Sequence, residues 1–594
     1  MALCLAASML FSCTSVADGE KGTESSESGD GTAASTVTTI NEEEMFSKKD
    51  LSLEYDEREC IRIDLMGDSA VCESDSVVIN ESTVILRGDA DYILSGTLRG
   101  TVVVDAEESA KPRLVLNGAA VESESSAGLY VKEADKVFLI LAEGSENKIS
   151  NLGEFEALDD SNIDGAIFSK QDLTVGGNGS LEISSPAGHG LVAKDDLVIS
   201  GGSISVSCEG HGIQANDSIR IADGSLSVVS AKDGLHCENS EDASLGFVYI
   251  KGGHFDITCD GDGISASSVM QIKDGDFSIL SGEGHENAEK KASEGYGGMG
   301  GGGMGGPGGH RRGGDSLVAD VDESDTVSRK GIKASSGLSV SGGVFNIDSA
   351  DDSVHSNADC DIFGASFTVA SGDDGFHADG TLTVADGNIG ISTSYEGLEG
   401  LHIKISGGDI TLVSDDDGLN AAGGNDESGY GGFFGGDGFG GRGPGGHGGT
   451  SAGEGSILIS GGRLYVNASG DGIDANGTLE IRGGHTTVCG PTVGDTATLD
   501  YDLSATISGG TFIGTGGAGM AQTFSESSQG VIALSVGERA AKTRVQILTK
   551  DGKELISVSP ELSFAVVILS CPEMEKGESY TVRVGDNEDS FEAQ

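Results

Sequence analysis

A period of about 22 residues constrains this chain more than any other feature. Between Asp351 and Asp417 four similar units follow one another, opening on Asp351-Asp352, Asp373-Asp374, Glu396 and Asp415-Asp416-Asp417. Taken at Asp352, Asp374, Glu396 and Asp417, the starts fall 22, 22 and 21 residues apart. Equivalent units start at His189, His211, Asp233, Asp262, Lys330 and Asp471, with an earlier copy at Asp164. Within a unit, apolar residues alternate with polar ones in short runs broken by Gly, Asn and Asp, which is a strand pattern. One unit cannot bury its apolar side alone, whereas stacked units share a continuous core. The constant period therefore points to an all-β parallel β-helix of about 22 residues per coil. A β-sandwich does not explain it. Ile213, Ala215, Ile219, Ile221, Leu226 and Val228 should point inward, and Gly pairs such as Gly342-Gly343 and Gly407-Gly408 should form corners needing positive φ.

The rest of the chain is read around this array. Residues 1–13, MALCLAASMLFSC, form a short apolar run ending on Cys13, like a lipoprotein signal cleaved before a lipidated cysteine; no Lys or Arg precedes the run. A secretory signal with an incidental Cys is the alternative. Residues 14–59, rich in Ser, Thr, Gly and Glu up to about residue 45, are read as a disordered tether. The helix is assigned to 60–525 and a small antiparallel cap to 526–594. Two Gly-rich insertions, 285–328 and 425–455, should leave at the same corner, either as flexible loops or as flaps carrying Tyr296, Tyr430, Phe433, Phe434 and Phe439 over one face. Cys60 and Cys72 could bridge. The other cysteines suit buried packing, and no CxxC pair indicates zinc or redox chemistry.

Net charge is -60. Nucleic acid and anionic membrane surfaces are therefore excluded as partners on electrostatic grounds, leaving a lipid anchor as the only membrane contact, and cations are favoured. The acids concentrate in columns. The residues three after each start are Gln214, His236, Ser265, Lys333, His355, His377, Glu399, Asn420 and Asp474, and they should face outward. The start residue lies across a Gly corner, so alternation does not fix its direction. Stacked coils are ~4.8 Å apart, and two unit charges at ~4 Å repel by about 1 kcal/mol in water and about 4 kcal/mol near a protein surface. A bound cation would turn that repulsion into attraction, and hard oxygen donors select Ca²⁺. The candidate ligands are Asp351, Asp352, Asp373, Asp374, Glu396, Glu399, Asp415, Asp416, Asp417 and Asn420. His355, His377 and Tyr395 are placed beside them as ligand-facing residues. Acids at solvated Asp-Gly turns are the alternative reading.

The SGGxIxIxSxDDGxxA coils, the Gly-rich insertions and the LILAEGSENKISN stretch at 139–151 resemble a family of secreted bacterial carbohydrate-binding proteins related to the family 9 polysaccharide lyases. The resemblance covers roughly residues 60–590. It implies a right-handed parallel β-helix, Ca²⁺ held by acids on the helix face, and binding to plant cell-wall polysaccharide, either cellulose or acidic pectic sugars.

The leading expectation is a monomeric, non-catalytic, Ca²⁺-dependent polysaccharide-binding protein at the cell surface. A lyase is the second: β-elimination needs a base beside a Ca²⁺-bound uronate, and Lys333 is the best candidate, with Lys330, Arg329 and Lys404 weaker. A hydrolase acid pair is also conceivable. A passive adhesin stalk is the third reading.

Overall fold

The computed structural model describes residues 40–156, 161–288, 328–422, 453–492 and 496–594. Cys13, the tether before residue 40 and the rings Tyr296, Tyr430, Phe433, Phe434 and Phe439 lie outside these residues.

Alternation resolves into three strands per coil. In the coil opening at Asp352 they are Val354–Ser356, Cys360–Ile362 and Ser366–Ser371, here called the first, second and third faces. Each strand pairs in parallel with its equivalent one coil on: Val354 with Phe376, Cys360 with Leu382, Phe367 with Ile389. The result is a parallel β-helix that begins at Ile61–Gly67, which pairs in parallel with Asp91–Arg99. The residues expected to point inward do so: Ile213, Ala215, Ile219, Ile221, Leu226 and Val228 are all buried. Like side chains stack along the core. Phe255, Phe277, Phe345 and Phe367 form a column with rings 4.5 Å apart and nearly parallel. The Gly pairs sit between the second and third faces, where the second glycine takes positive φ, +106° at Gly343 and +85° at Gly408. A Cβ at Gly343 would also meet the Gly275 carbonyl at 2.9 Å.

The top of the stack is closed antiparallel. Thr511–Gly516, in the last coil, pairs with Phe564–Ser570, which in turn pairs with Val531–Arg539. A separate four-stranded antiparallel sheet runs through Val545–Leu548, Glu554–Val558, Ser579–Val584 and Asn587–Glu592. Covering the open sheet end removes an edge that could otherwise pair with another chain.

Three expectations need correction. First, the insertions leave different corners. The first follows the third-face strand Asp276–Ser281, whereas the second follows the first-face strand Leu419–Ala421. The first lies in sequence between Ser281 and Lys330, and its flanking GHENA segment resembles a unit start without being one. Second, Cys60 and Cys72 are unbridged. Third, residues 40–59 are not a free tether. They form a strap along the second face, reaching from Gln271, whose Oε1 accepts from the Ile40 N–H, down to Arg113, which donates to the Glu54 carbonyl. Phe46 packs on Tyr249, with ring centroids 5.8 Å apart. Asp50, 2% exposed, accepts from the Lys136 ammonium at 2.8 Å and the Thr174 hydroxyl at 2.6 Å, and it also closes a capping box with Ser47. A buried, paired carboxylate of this kind is what a disordered reading of a Ser- and Glu-rich segment does not anticipate.

Removing one member of a buried ion pair is costly, about 3 kcal/mol or more. Asp50→Ala should therefore release the strap, so that trypsin cuts after Lys48 and Lys49, exposed but held in the docked strap, in a chain whose coils stay intact. The docked strap is refuted if trypsin cuts the wild-type chain there at the same rate.

Candidate functional site

The residue that opens each coil occupies the corner between the third and first faces. In most coils its side chain accepts the main-chain N–H of the equivalent residue one coil on. Asp233 takes the Asp262 N–H at 2.9 Å, Asp262 that of Lys330 at 2.7 Å, Asp352 that of Asp374 at 3.0 Å, and Asp374 that of Glu396 at 3.2 Å. Asp417 takes the Asp471 N–H at 2.6 Å. In the lower coils imidazoles do the same: Nδ1 of His189 accepts from His211 at 2.8 Å, and Nδ1 of His211 from Asp233 at 3.2 Å. Asp and His both supply the acceptor, while at Lys330, a donor only, the Asp352 N–H is taken by Asp351 instead at 3.0 Å. This is why the start residues point back into the stack, a direction the sequence left open.

The residues three positions on form one continuous outward column on the first face: Lys333 pairs in register with His355, then His377, Glu399, Asn420 and Asp474. In the middle coils this column and the corner neutralise each other. The Lys330 ammonium lies 3.1 Å from Asp351 and 2.6 Å from Asp352. The oxygens of Asp351, Asp352 and Asp373 lie within 4.8 Å of one another, so the lysine sits where a cation would. Burial opposes charge on Asp352, but Lys330 and the His355 hydrogen bond outweigh it and hold the carboxyl well below its usual range. His377 is buried yet pushed well up by hydrogen bonds to Asp374 at 3.3 Å, Asp379 at 3.0 Å and Glu399 at 2.6 Å. Glu399, the nearest, stays ionised: burial raises it, and His377 more than compensates. Asp374 is left to hold a proton, raised by burial and by Asp373 and Glu399. The rings of His355 and His377 stack at 4.8 Å.

Higher up the balance changes. Oxygens of Asp417, Asp471 and Asp474 lie within 4.8 Å of one another, and none of the described ion pairs includes Asp417 or Asp474. Burial, then Asp471, Asp500 and Asp502, push Asp474 up to about 7. Burial, Asp471 and Asp416 push Asp417 well up. On the neighbouring strand Asn420 is 8% exposed, and its Oδ1 has no hydrogen-bond partner; Oε2 of Glu396 is likewise unsatisfied. Clustered carboxylates with orphaned acceptors beside them are an oxygen-rich donor set of the kind a hard cation prefers. Asp471 and Asp474 stand in the repeat columns but were outside the candidate set, which stopped at the last doubled acid.

The remaining candidates are dispersed. Asp415 is exposed and joins no cluster of metal-ligand type among the described residues. Asp416 bonds the half-buried Tyr395 phenol, which burial and that bond push up. Lys333 is held by the Ser328 hydroxyl at 3.2 Å and Asp262 at 3.8 Å. A third group, His211, Asp233 and His236, suits a metal poorly. Nδ1 of His211 already accepts a main-chain N–H, which leaves the ring proton on Nε2, and Nδ1 of His236 is bonded to Asp233 at 2.6 Å.

Residues 76–375 match the family model of carbohydrate-binding domain-containing proteins. A carbohydrate-binding domain-containing protein of Acetivibrio thermocellus is 33% identical over 135 residues, 22% of this chain. The match covers 47% of that relative, so the chain spans about half the length of the curated protein it matches. The solved structure of the polysaccharide lyase-like protein from C. thermocellum, a gadolinium derivative, is 30% identical with a TM-score of 0.37, over 38% of this chain and 92% of that one.

The corner ladder makes a stability prediction. Burial, then His236, lower the His211 pKa from 6.5 to about 3, against the opposing pull of Asp233; His189 and Lys232 add to the lowering. The folded state binds the proton less well than the unfolded chain, so this contribution is complete above about pH 6.5 and is lost as pH falls toward 3. His211→Asn keeps an acceptor and removes the titration. Denaturant midpoints measured from pH 7 to 4 should fall less steeply in that variant; parallel curves for the two proteins would dismiss the ladder as the cause.

Proposed function

The chain belongs to the family of carbohydrate-binding domain-containing proteins, and on that premise we propose that it is a non-catalytic, Ca²⁺-dependent polysaccharide-binding protein of the cell surface. The observation that carries the calcium part is the upper corner. Asp417, Asp471 and Asp474 converge there with the unsatisfied Oδ1 of Asn420 on the adjacent strand. Calcium takes six to eight oxygen ligands. These residues would supply part of that shell and leave the rest to sugar hydroxyls, uronate carboxylates or water. Through such an ion a chain of net charge -60 can hold an acidic pectic glycan that it would otherwise repel. Asp351, Asp352, Asp374 and Glu399 have less need of an ion, because Lys330 and His377 already neutralise them. We place the glycan across these coils, within reach of the half-buried Asp351, Glu399 and Tyr395, with Asp352, Asp374, His355 and His377 buried beneath it. Attachment through a lipid on Cys13, action as a monomer and a plant cell-wall substrate complete the proposal.

Lyase action is the second reading, and the register weighs against it. Lys333 and Asp474 are five strands apart in one column, about 24 Å at ~4.8 Å per strand. A base at that distance cannot act on a sugar held by the upper acids.

Two measurements test the proposal. Calcium should raise the melting temperature of the wild-type chain, as any ligand of the native state does by mass action, and the shift should vanish in Asp471→Asn/Asp474→Asn. Retention on calcium polygalacturonate should fall at least tenfold in the same variant and with chelator. Unchanged melting and unchanged retention after chelation would remove calcium from the account, and release of unsaturated product would establish the lyase instead.

A further inference from the structure

The strap of residues 40–56 is held to the helix differently from any coil. Coils are joined to one another by parallel backbone ladders on three faces. Among the described residues, no main-chain to main-chain hydrogen bond joins residues 40–56 to the helix. The attachments are side-chain contacts that descend the stack. Gln271 accepts the Ile40 N–H, Lys273 holds Glu42 at 2.9 Å, and Tyr249 meets Phe46. Arg220 donates to the Met45 carbonyl at 3.3 Å, Lys136 and Thr174 hold Asp50, and Arg113 donates to the Glu54 carbonyl. Of residues 40–56 only Met45 and Asp50 are buried. From Arg113 to Gln271 the second-face register climbs six strand steps, about 29 Å at ~4.8 Å each.

We propose that the strap is a mechanical clutch, a segment that peels off the second face under tension and lengthens the N-terminal attachment of the chain while every coil stays folded. This rests on the cell-surface reading, in which the chain is held on its N-terminal side and loaded by a glycan at the upper corner. Tension then enters at residue 40, the end of the strap that lies highest on the stack. The contacts are loaded one after another, from Gln271 down to Arg113, and none shares its load with the next. The same tension reaches the junction between two coils as a load divided over strands on three faces. Local opening is also cheapest where few apolar groups are buried and no ladder has to break, and the strap meets both conditions. Asp50 is the exception along its length. It is 2% exposed and bonded to Lys136, Thr174 and Ser47, so it acts as the latch on which peeling pauses.

The reach gained is large. Residues 40–54, extended at ~3.5 Å each, release about 50 Å of chain. The point at which the chain joins the helix also drops from the coil of Gln271 to that of Arg113, a further ~29 Å away from the C-terminal cap. A bound glycan can therefore move by about 80 Å before its own contacts carry the load. The strap remains covalently joined to the first coil, so it stays at high effective concentration beside its groove and docks again when tension falls.

The test is to pull single molecules of the full chain by their two ends. Wild type should show one reversible lengthening of about 80 Å at a force below that of any coil unfolding. Asp50→Ala should need about half that force, since it leaves Lys136 without its buried partner, while Thr506→Arg, on the second face beyond the strap, should change nothing. A second measurement uses the absence of tryptophan from the chain. Phe46→Trp sets a single indole against Tyr249, and its emission should report release at denaturant concentrations where circular dichroism still shows intact coils. A first lengthening that coincides with coil unfolding, fails to reverse, or is several times larger overturns the clutch, as does an unchanged force in Asp50→Ala or a single transition shared by indole and coils. Recovery of the mature chain from cells without a lipid on Cys13 would refute the anchored reading separately, because the pulling curve does not depend on how the chain is held in the cell.

Discussion

Every side chain in a parallel β-helix has its own equivalent ~4.8 Å above and below. That interval decides what each column can contain. Apolar columns gain from it, as the Phe255 to Phe367 stack shows. Hydroxyl columns are indifferent to it. Columns of like charge are penalised, because unit charges at that separation repel by about 1 to 4 kcal/mol depending on exposure. A chain with 96 acids against 36 Lys and Arg must manage this penalty repeatedly.

It does so in three ways, and they separate along the stack. At the corner one carboxylate oxygen is bonded to the main-chain N–H of the next coil, which spreads the charge into the backbone. In the middle coils the protein inserts its own cations, Lys330 against Asp351 and Asp352 and the His377 imidazolium against Glu399. At Asp417 and Asp474 burial and neighbouring acids push both carboxyls upward, and none of the described ion pairs includes either. Only there does the argument from repulsion to an external cation keep its force. The same reasoning explains why His189 and His211 can replace aspartate lower down: each accepts the next coil's main-chain N–H as the aspartates do.

Columns and core were legible in the sequence because a fixed period turns alignment into geometry. Lys333, His355, His377, Glu399, Asn420 and Asp474 were one column on paper and are one ladder in space. What failed to show was whatever breaks or crosses the period. The direction of the start residue is set by a Gly-marked corner, where alternation stops. The neutralising role of Lys330 was hidden because it lies beyond an insertion and was weighed as a base rather than as a counter-ion. The strap has one turn of helix and no repeat, so Asp50 and Phe46 carried no periodic signal, and the contact of Asp50 with Thr174 spans 124 residues.

The doubled acids drew attention to the middle coils because they are the loudest feature of the sequence, yet the number of acids is a poor guide to an ion site. What matters is the charge left after the protein's own donors have been counted. By that measure Asp351-Asp352 is balanced by Lys330, whereas none of the described ion pairs reaches Asp417 or Asp474.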